Sequence, residues 1–503
     1  MSAVSSAVEA VATPSSEPDF DVVIIGAGFS GIGAAYRIRE RNPCVRYVVL
    51  ERRERIGGTW DLFRYPGVRS DSSIFALSFP WEPWTRVEEV AEGADIRDYL
   101  ENTARKHGIF DHIRFDTTVQ SADWDSATDT WTIRATSNGE ERVCRARTVF
   151  FGAGYYDYDE GYTPEFPGMD GFAGTVVHPQ HWPGGLDYSG RRIVVIGSGA
   201  TAVSLVPALA RKAARVTMLQ RSPGYLFAGA RVNPLVRFLR GILTSGVSHR
   251  VARFMASTFE ALMWALARGA PAYTRRLLRR QNVSMLPTGY PVDVHFNPRY
   301  NPWDQRLCLV ADGDLFRAIR EGCVDMVTDH IDHIDAGGIV LKSGGRIDAD
   351  IIVTATGLKL KALGGVRLRV DGKERRPEDC FSYKACMLEG VPNLVWCIGY
   401  TNASWTLRAD MTARYTARLI QHMRARGYTR ACPRIGATPV VEKPLWDLQA
   451  GYVLRSPHAL PKSGRRRPWI VRQNYFADAI DDLLSGRMDE DMVFGRAGSL
   501  SDP

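Results

Sequence analysis

The sequence predicts an α/β fold: two Rossmann-like dinucleotide-binding domains with a mostly helical insertion. Three observations predict it. A glycine-rich turn, Gly26-Ala27-Gly28-Phe29-Ser30-Gly31, follows a short apolar run and opens a helical pattern. A second turn, Gly197-Ser198-Gly199-Ala200-Thr201-Ala202, repeats that arrangement. Between them lies Phe172 to Pro183, FAGTVVHPQHWP, which reads Phe-x-Gly-x-x-x-His-x-x-x-Trp-Pro.

The first unit runs strand (Asp21 to Ile25), turn, helix (Gly31 to Glu40) and strand (Tyr47 to Leu50), closed by Glu51. The acid falls 25 residues after Gly26. Glycines let the backbone approach a pyrophosphate, and a helix N-terminus offers it unpaired N–H groups. Glu51 can accept hydrogen bonds from ribose hydroxyls and repels a 2′-phosphate, so this site suits FAD. The second unit has the run Arg191 to Ile196 and the strand Val216 to Gln220, followed by Arg221 and Ser222 instead of an acid. A guanidinium there pairs with a 2′-phosphate, so this site suits NADPH.

Two return strands, Thr148 to Gly154 and Asp350 to Gly357, close the units. The resulting division is a disordered arm (1–18), an FAD domain (19–164 and 359–495), an NADPH domain (165–226 and 305–358), a helical insertion (227–304) and a tail (496–503).

Composition narrows the class. The 503 residues are 45% hydrophobic and 24% charged, ordinary for a globular protein large enough for several domains. The eight cysteines form no Cys-x-x-Cys and no zinc spacing, so they read as reduced thiols of a cytoplasmic protein with no metal site. That pattern also argues against a dithiol–disulfide reductase. The first 18 residues lack the basic and apolar regions of a secretory signal. No stretch reaches the ~18 uncharged apolar residues of a membrane span. Residues 231–280 hold ten arginines, no lysine and one acid, Glu260, so this segment is +9 and the remainder −1. The basic balance is therefore regional, and no nucleic-acid partner is expected.

Together these motifs resemble the flavin-dependent (type I) Baeyer–Villiger monooxygenases over nearly all of the chain after residue 19. The linker matches their fingerprint at Phe172, Gly174, His178, Trp182 and Pro183. Related flavin-containing monooxygenases that oxygenate nitrogen and sulfur usually lack the Trp-Pro ending. Gly57-Gly58-Thr59-Trp60 and the run Arg64 to Asp71 also look like that family. The stretches Asn297 to Leu307 and Gly399 to Trp405 are similar to its mycobacterial ethionamide-activating group.

The resemblance implies FAD and NADPH as cofactors. The cofactor-binding residues expected are Gly26, Gly28, Phe29, Ser30, Gly31, Glu51, Gly58, Thr59, Trp60, Arg69, Asp71, Gly197, Ser198, Gly199, Ala200, Thr201, Arg221, Ser222, Gly357 and Gly399. The resemblance further implies that O₂ adds at flavin C4a, that the resulting peroxide attacks a ketone, and that an ester or lactone forms, with sulfide oxidation as a side activity. By family position Arg306 is the cation beside the reacting oxygen and Asp71 its carboxylate partner, holding a planar fork. Many relatives carry lysine before that arginine; here Gln305 removes one charge from the expected 2′-phosphate site. His178 is expected to tie the two domains through its ring nitrogens, Trp182 to anchor the linker, and Gly174 to supply a backbone conformation other residues resist.

Alternatives stay open at this point. One is a monooxygenase acting mainly on nitrogen or sulfur of small molecules. Another is a non-catalytic, membrane-associated binding protein on a flavin fold. The basic insertion mixes arginines with Phe254, Phe259, Leu262, Met263 and Trp264. It reads either as a cap with arginines on its solvated face or as a surface that also docks peripherally on anionic lipid.

Overall fold

The computed structural model describes residues 17–446, 448–456, 458–485, 488 and 491–497. The expected arm lies outside them up to residue 16, and the expected tail from residue 498.

The first glycine turn sits at a strand-order reversal. The strand Phe20–Ile25 is apolar and buried from Val22 on because both sheet faces are covered: Val22 and Ile24 enter one apolar cluster, Val23 and Ile25 another. It pairs in parallel with Tyr47–Leu50, Val23 facing Val48, and with Glu140–Phe151, Val23 facing Val149. Ile113–Arg114 extends that edge, giving the order Ile113–Arg114, Tyr47–Leu50, Phe20–Ile25, Glu140–Phe151. An antiparallel meander of Thr117–Asp125, Thr130–Ser137 and Glu140–Phe151 widens the sheet. Leu394–Trp396 returns from far along the chain to pair with Glu140–Phe151.

A separate sheet of five parallel strands forms the second unit. Its order is Val324–Thr328, Arg215–Gln220, Arg192–Ile196, Ile351–Thr354, Thr175–Val177. All five come from within 165–226 and 305–358. Here too the glycine turn follows the strand at the reversal, where ligands bind in open α/β sheets. The two connections between units run side by side: Tyr156–Gly161 pairs antiparallel with Leu358–Leu360.

The insertion is helical, as expected: Pro234–Ile242, Ser245–Gly269, Pro271–Met285 and the short Val292–His295. Asn233 caps the first helix by accepting from Leu235 N and Val236 N, with Pro234 at the first helical position. Leu226–Gly229 and Cys308–Ala311 pair in parallel across its base.

Six of the ten arginines in 231–280, at 237, 250, 268, 276, 279 and 280, are exposed, and a minority depart from the expected solvated face. Three arginines face inward rather than to solvent. Arg240 donates to the Trp84 and Arg86 carbonyls, Arg253 to Ala76 O (2.7 Å) and Ser78 O (2.5 Å), and Arg275 to Tyr300 O (2.9 Å). Phe254, Phe259 and Leu262 point outward instead. The helices cover loop carbonyls that need donors, and a guanidinium supplies several where an apolar side chain supplies none.

Candidate active site

Both glycine turns open onto one cavity of about 930 Å³. Gly26, Gly28, Phe29, Ser30, Glu51, Gly58, Thr59 and Trp60 line one part of it. Gly197, Ser198, Gly199, Ala200, Thr201, Arg221, Ser222 and Gly357 line another. Neither Phe29–Arg41 nor Ala200–Leu209 has a side-chain cap or an acid in its first turn. Two sets of backbone N–H groups therefore await acceptors, which fits two anionic phosphate groups. Gly31 does not line the cavity: a Cβ there would stand 1.8 Å from Gly26 O, so it closes the turn. Gly197 has φ of +139° and would place a Cβ 2.2 Å from Ala355 O.

Glu51 is buried and accepts from Ala27 N (2.6 Å) and Arg53 N (2.9 Å). Burial pushes its carboxyl above the usual value, and those two donors pull it back. Each oxygen keeps a lone pair for a further donor.

Arg306 and Asp71 also meet on the cavity wall. They come from loops before the strand Cys308–Ala311 and the short helix Ile74–Leu77. Arg306 Nη2 lies 3.5 Å from Asp71 Oδ2. This is a single approach, not the expected fork of two parallel hydrogen bonds. Asp71 nonetheless holds the Arg306 pKa well above its usual range, against the opposing effect of burial. A loose partner leaves guanidinium N–H groups for a ligand in the cavity. Tyr155, Tyr156 and Tyr452 line the same wall. Burial raises the pKa of each, and Arg306 counters it. The sequence pointed to none of these three, although Tyr155 and Tyr156 follow a return strand at the sheet's ligand-binding edge.

At the second turn Ser198 Oγ donates to Ser222 O (3.3 Å), bracing the loop that carries Arg221. A second cation stands there that no local pattern revealed. Arg455, 234 residues further on, lies over the Tyr162 ring at 3.6 Å and lines the cavity. Burial lowers its pKa, and the like charge of Arg221 acts in the same direction. Neither arginine pairs with a carboxylate among the described residues.

Several expected residues take other places. Arg69 lines the cavity, but its guanidinium is committed to Asp314 at 2.5 and 3.2 Å. Gly399 does not line the cavity; a Cβ there would stand 2.3 Å from the Trp405 ring. Trp405 in turn donates from Nε1 to Ser30 Oγ (2.8 Å) and stacks on Tyr155.

The linker residues Phe172, Gly174, His178, Trp182 and Pro183 stand off the cavity. His178 Nδ1 accepts from Gln180 N, and Nε2 lies 3.2 Å from Gly357 O as donor, which assigns the neutral ring with its proton on Nε2. Burial lowers its pKa, consistent with that form. Its ring thus meets both units: Gly357 on one side, the Tyr162 backbone and the packing under Gly161 on the other. Gly174 has no left-handed φ. It is small because a Cβ would stand 2.4 Å from Asp350 O and 2.6 Å from the Phe172 ring. Trp182 packs against Tyr188 in the core of the second unit.

Glu260, the lone acid of the insertion, accepts from Ser404 N and Ser404 Oγ, both at 3.0 Å. Burial raises its carboxyl from 4.5 to about 7. The folded protein therefore keeps a proton there, between about pH 4.5 and 7, that the unfolded chain releases. This contribution to stability is complete below pH 4.5 and is lost as pH rises through 7. Glu260→Gln keeps an acceptor for Ser404 N–H and no longer titrates. Its melting temperature should vary less with pH across that window than that of the unmutated protein. Equal slopes would remove Glu260 as the source.

Fold and site together define a flavoprotein oxidoreductase with two dinucleotide-binding units. The sequence profile of the pyridine nucleotide-disulphide oxidoreductase family matches residues 23–237. All eight cysteines are free thiols in this structure. The FAD-containing monooxygenase EthA of Mycolicibacterium smegmatis is 48% identical over 460 residues, 91% of this chain and 94% of its own. EthA of Mycobacterium tuberculosis is 45% identical over 472 residues, 94% and 96% of the two chains. The chain belongs to this family of FAD-containing monooxygenases. An oxidized steroid monooxygenase bound to NADP superposes with a TM-score of 0.74 over 95% of this chain and 99% of that one. At 22% identity that likeness speaks to the fold alone.

Proposed function

We propose that the protein uses NADPH and O₂ to insert one oxygen atom into ketones, giving esters or lactones, with sulfide oxidation as a side activity. Ketone, O₂, NADPH and a proton become ester, water and NADP⁺. The observation that carries this reading is the Arg306–Asp71 pair on the wall of a cavity shared by both glycine turns. Bound FAD supplies the transfer of two electrons from NADPH and the activation of O₂. The turn Gly26 to Gly31 would hold its pyrophosphate, Glu51 its ribose, and Gly58, Thr59 and Trp60 would flank it. The turn Gly197 to Thr201 would hold the NADPH pyrophosphate. Arg221, Ser222 and Arg455 would surround the 2′-phosphate, Arg455 replacing the charge absent at Gln305. Arg306 would hold negative charge on the reacting oxygen, which an arginine does without losing its own proton.

The purified protein should be yellow and bleach with NADPH in the absence of air. In air, linear, cyclic or aryl ketones should give esters carrying one added oxygen atom. Sulfoxide from a thioether with no ester from any ketone would move the function to soft heteroatoms.

A further inference from the structure

The three long helices of the insertion pack consecutively and turn apolar side chains to solvent. Leu235, Phe238 and Ile242 stand out from Pro234–Ile242, with Phe238 62% exposed. Val247, Phe254 and Leu262 stand out from Ser245–Gly269, the last two 65% and 63% exposed. Tyr273 and Leu277 do so from Pro271–Met285. In the middle helix these residues recur at spacings of seven and eight, so they share one side. The other side carries His249, Arg253, Ala256 and Glu260, turned into the protein. Burying arginines while exposing phenylalanines is costly for a surface that meets only water.

Charge identifies what covers this face. Arg237, Arg250, Arg276 and Arg280 are exposed and pair with no carboxylate among the described residues. The only acid from 231 to 280 is Glu260, and it is turned inward against Ser404. Asp293 lies against Arg279 and Asp304 against Arg268, so the surface offers large apolar side chains and guanidinium groups in excess of carboxylates. That excess of positive charge favours an anionic partner. An anionic bilayer surface matches both features: its acyl region receives phenylalanine and leucine, and its phosphates receive guanidinium groups.

We infer that the helices at 234–285 dock the enzyme on the surface of an anionic lipid bilayer. They lie on it rather than cross it, since no helix among the described residues is long and apolar enough to span a membrane. Docking places the active site close to lipid. Glu260 bonds Ser404 from the inner side of the middle helix, and the neighbours Ala403 and Trp405 line the cavity. One helix diameter, about 10 Å, separates that contact from the docked face.

Flotation of the yellow holoenzyme with vesicles tests this. Vesicles of equal phosphatidylcholine and phosphatidylglycerol should capture it at low salt, and phosphatidylcholine alone should capture much less. About 0.5 M sodium chloride should release most of it by screening the arginines. The triple variant Phe238→Ser/Phe254→Ser/Leu262→Ser should bind at least about tenfold more weakly, since three exposed side chains lose their apolar contact. Arg237→Gln/Arg276→Gln/Arg280→Gln should bind weakly and lose most of its salt dependence. All six positions are exposed, so both variants should keep their flavin colour and circular dichroism. Failure of the unmutated enzyme to float with anionic vesicles at low salt overturns the inference. So does equal binding by all three proteins. A dimer in solution that the serine variant splits, without vesicle capture, would assign the face to a second copy instead.

Discussion

Arg306→Ala should leave a folded, yellow protein that still consumes NADPH but makes almost no ester. The reducing equivalents should appear as hydrogen peroxide. Losing a fixed charge that stabilises a developing anion costs on the order of 100- to 1,000-fold in rate. Folding should survive because Arg306 faces the cavity and makes only one long ion-pair approach, 3.5 Å to Asp71. Arg306→Lys should not restore ester formation, since a flexible ammonium cannot take the place of the planar guanidinium. Asp71→Ala should cause a milder loss: at 3.5 Å it biases the cation without gripping it. Ester formed per NADPH, read beside peroxide released, is the measurement. An Arg306→Ala enzyme that still couples normally would remove this residue from the reaction.

The coenzyme site carries the second large effect. Arg221→Ala and Arg455→Ala should each weaken NADPH binding about tenfold, the lower end for a charge-assisted contact because both side chains are exposed. The double variant should lose about 100-fold if the two contacts act independently. NADH affinity should hardly change. Equilibrium titration of NADPH, NADH and adenosine 2′,5′-bisphosphate separates this from any effect on turnover. Equal affinity of the unmutated protein for NADPH and NADH would set aside both arginines.

Much of the fold was legible in short stretches of chain. The strand–turn–helix units depend on contacts within about 30 residues, and their apolar runs and glycines are visible side by side. The strand Tyr47–Leu50 falls where its run of four apolar residues places it. The helical character of the insertion was legible for the same reason. The orientation of its side chains was not. Arg240, Arg253 and Arg275 turn inward because the loops beneath present carbonyls to them, and no pattern within a helix reports what lies under it.

The site divides in the same way. The sequence by itself determined the two glycine turns, the acid at Glu51, the arginine at Arg221 and the lack of a Cys-x-x-Cys spacing. Each is a local fact about residue type and spacing. Only the tertiary structure decided that both turns share one cavity and that Arg306 meets Asp71 across 235 residues at a single 3.5 Å approach. It also brought Arg455 beside Arg221, committed Arg69 to Asp314, and gave Gly399 to the packing of Trp405. The physical reason is common to these cases. Distance along the chain carries no information about which guanidinium meets which carboxylate; packing of the two units and the insertion sets it.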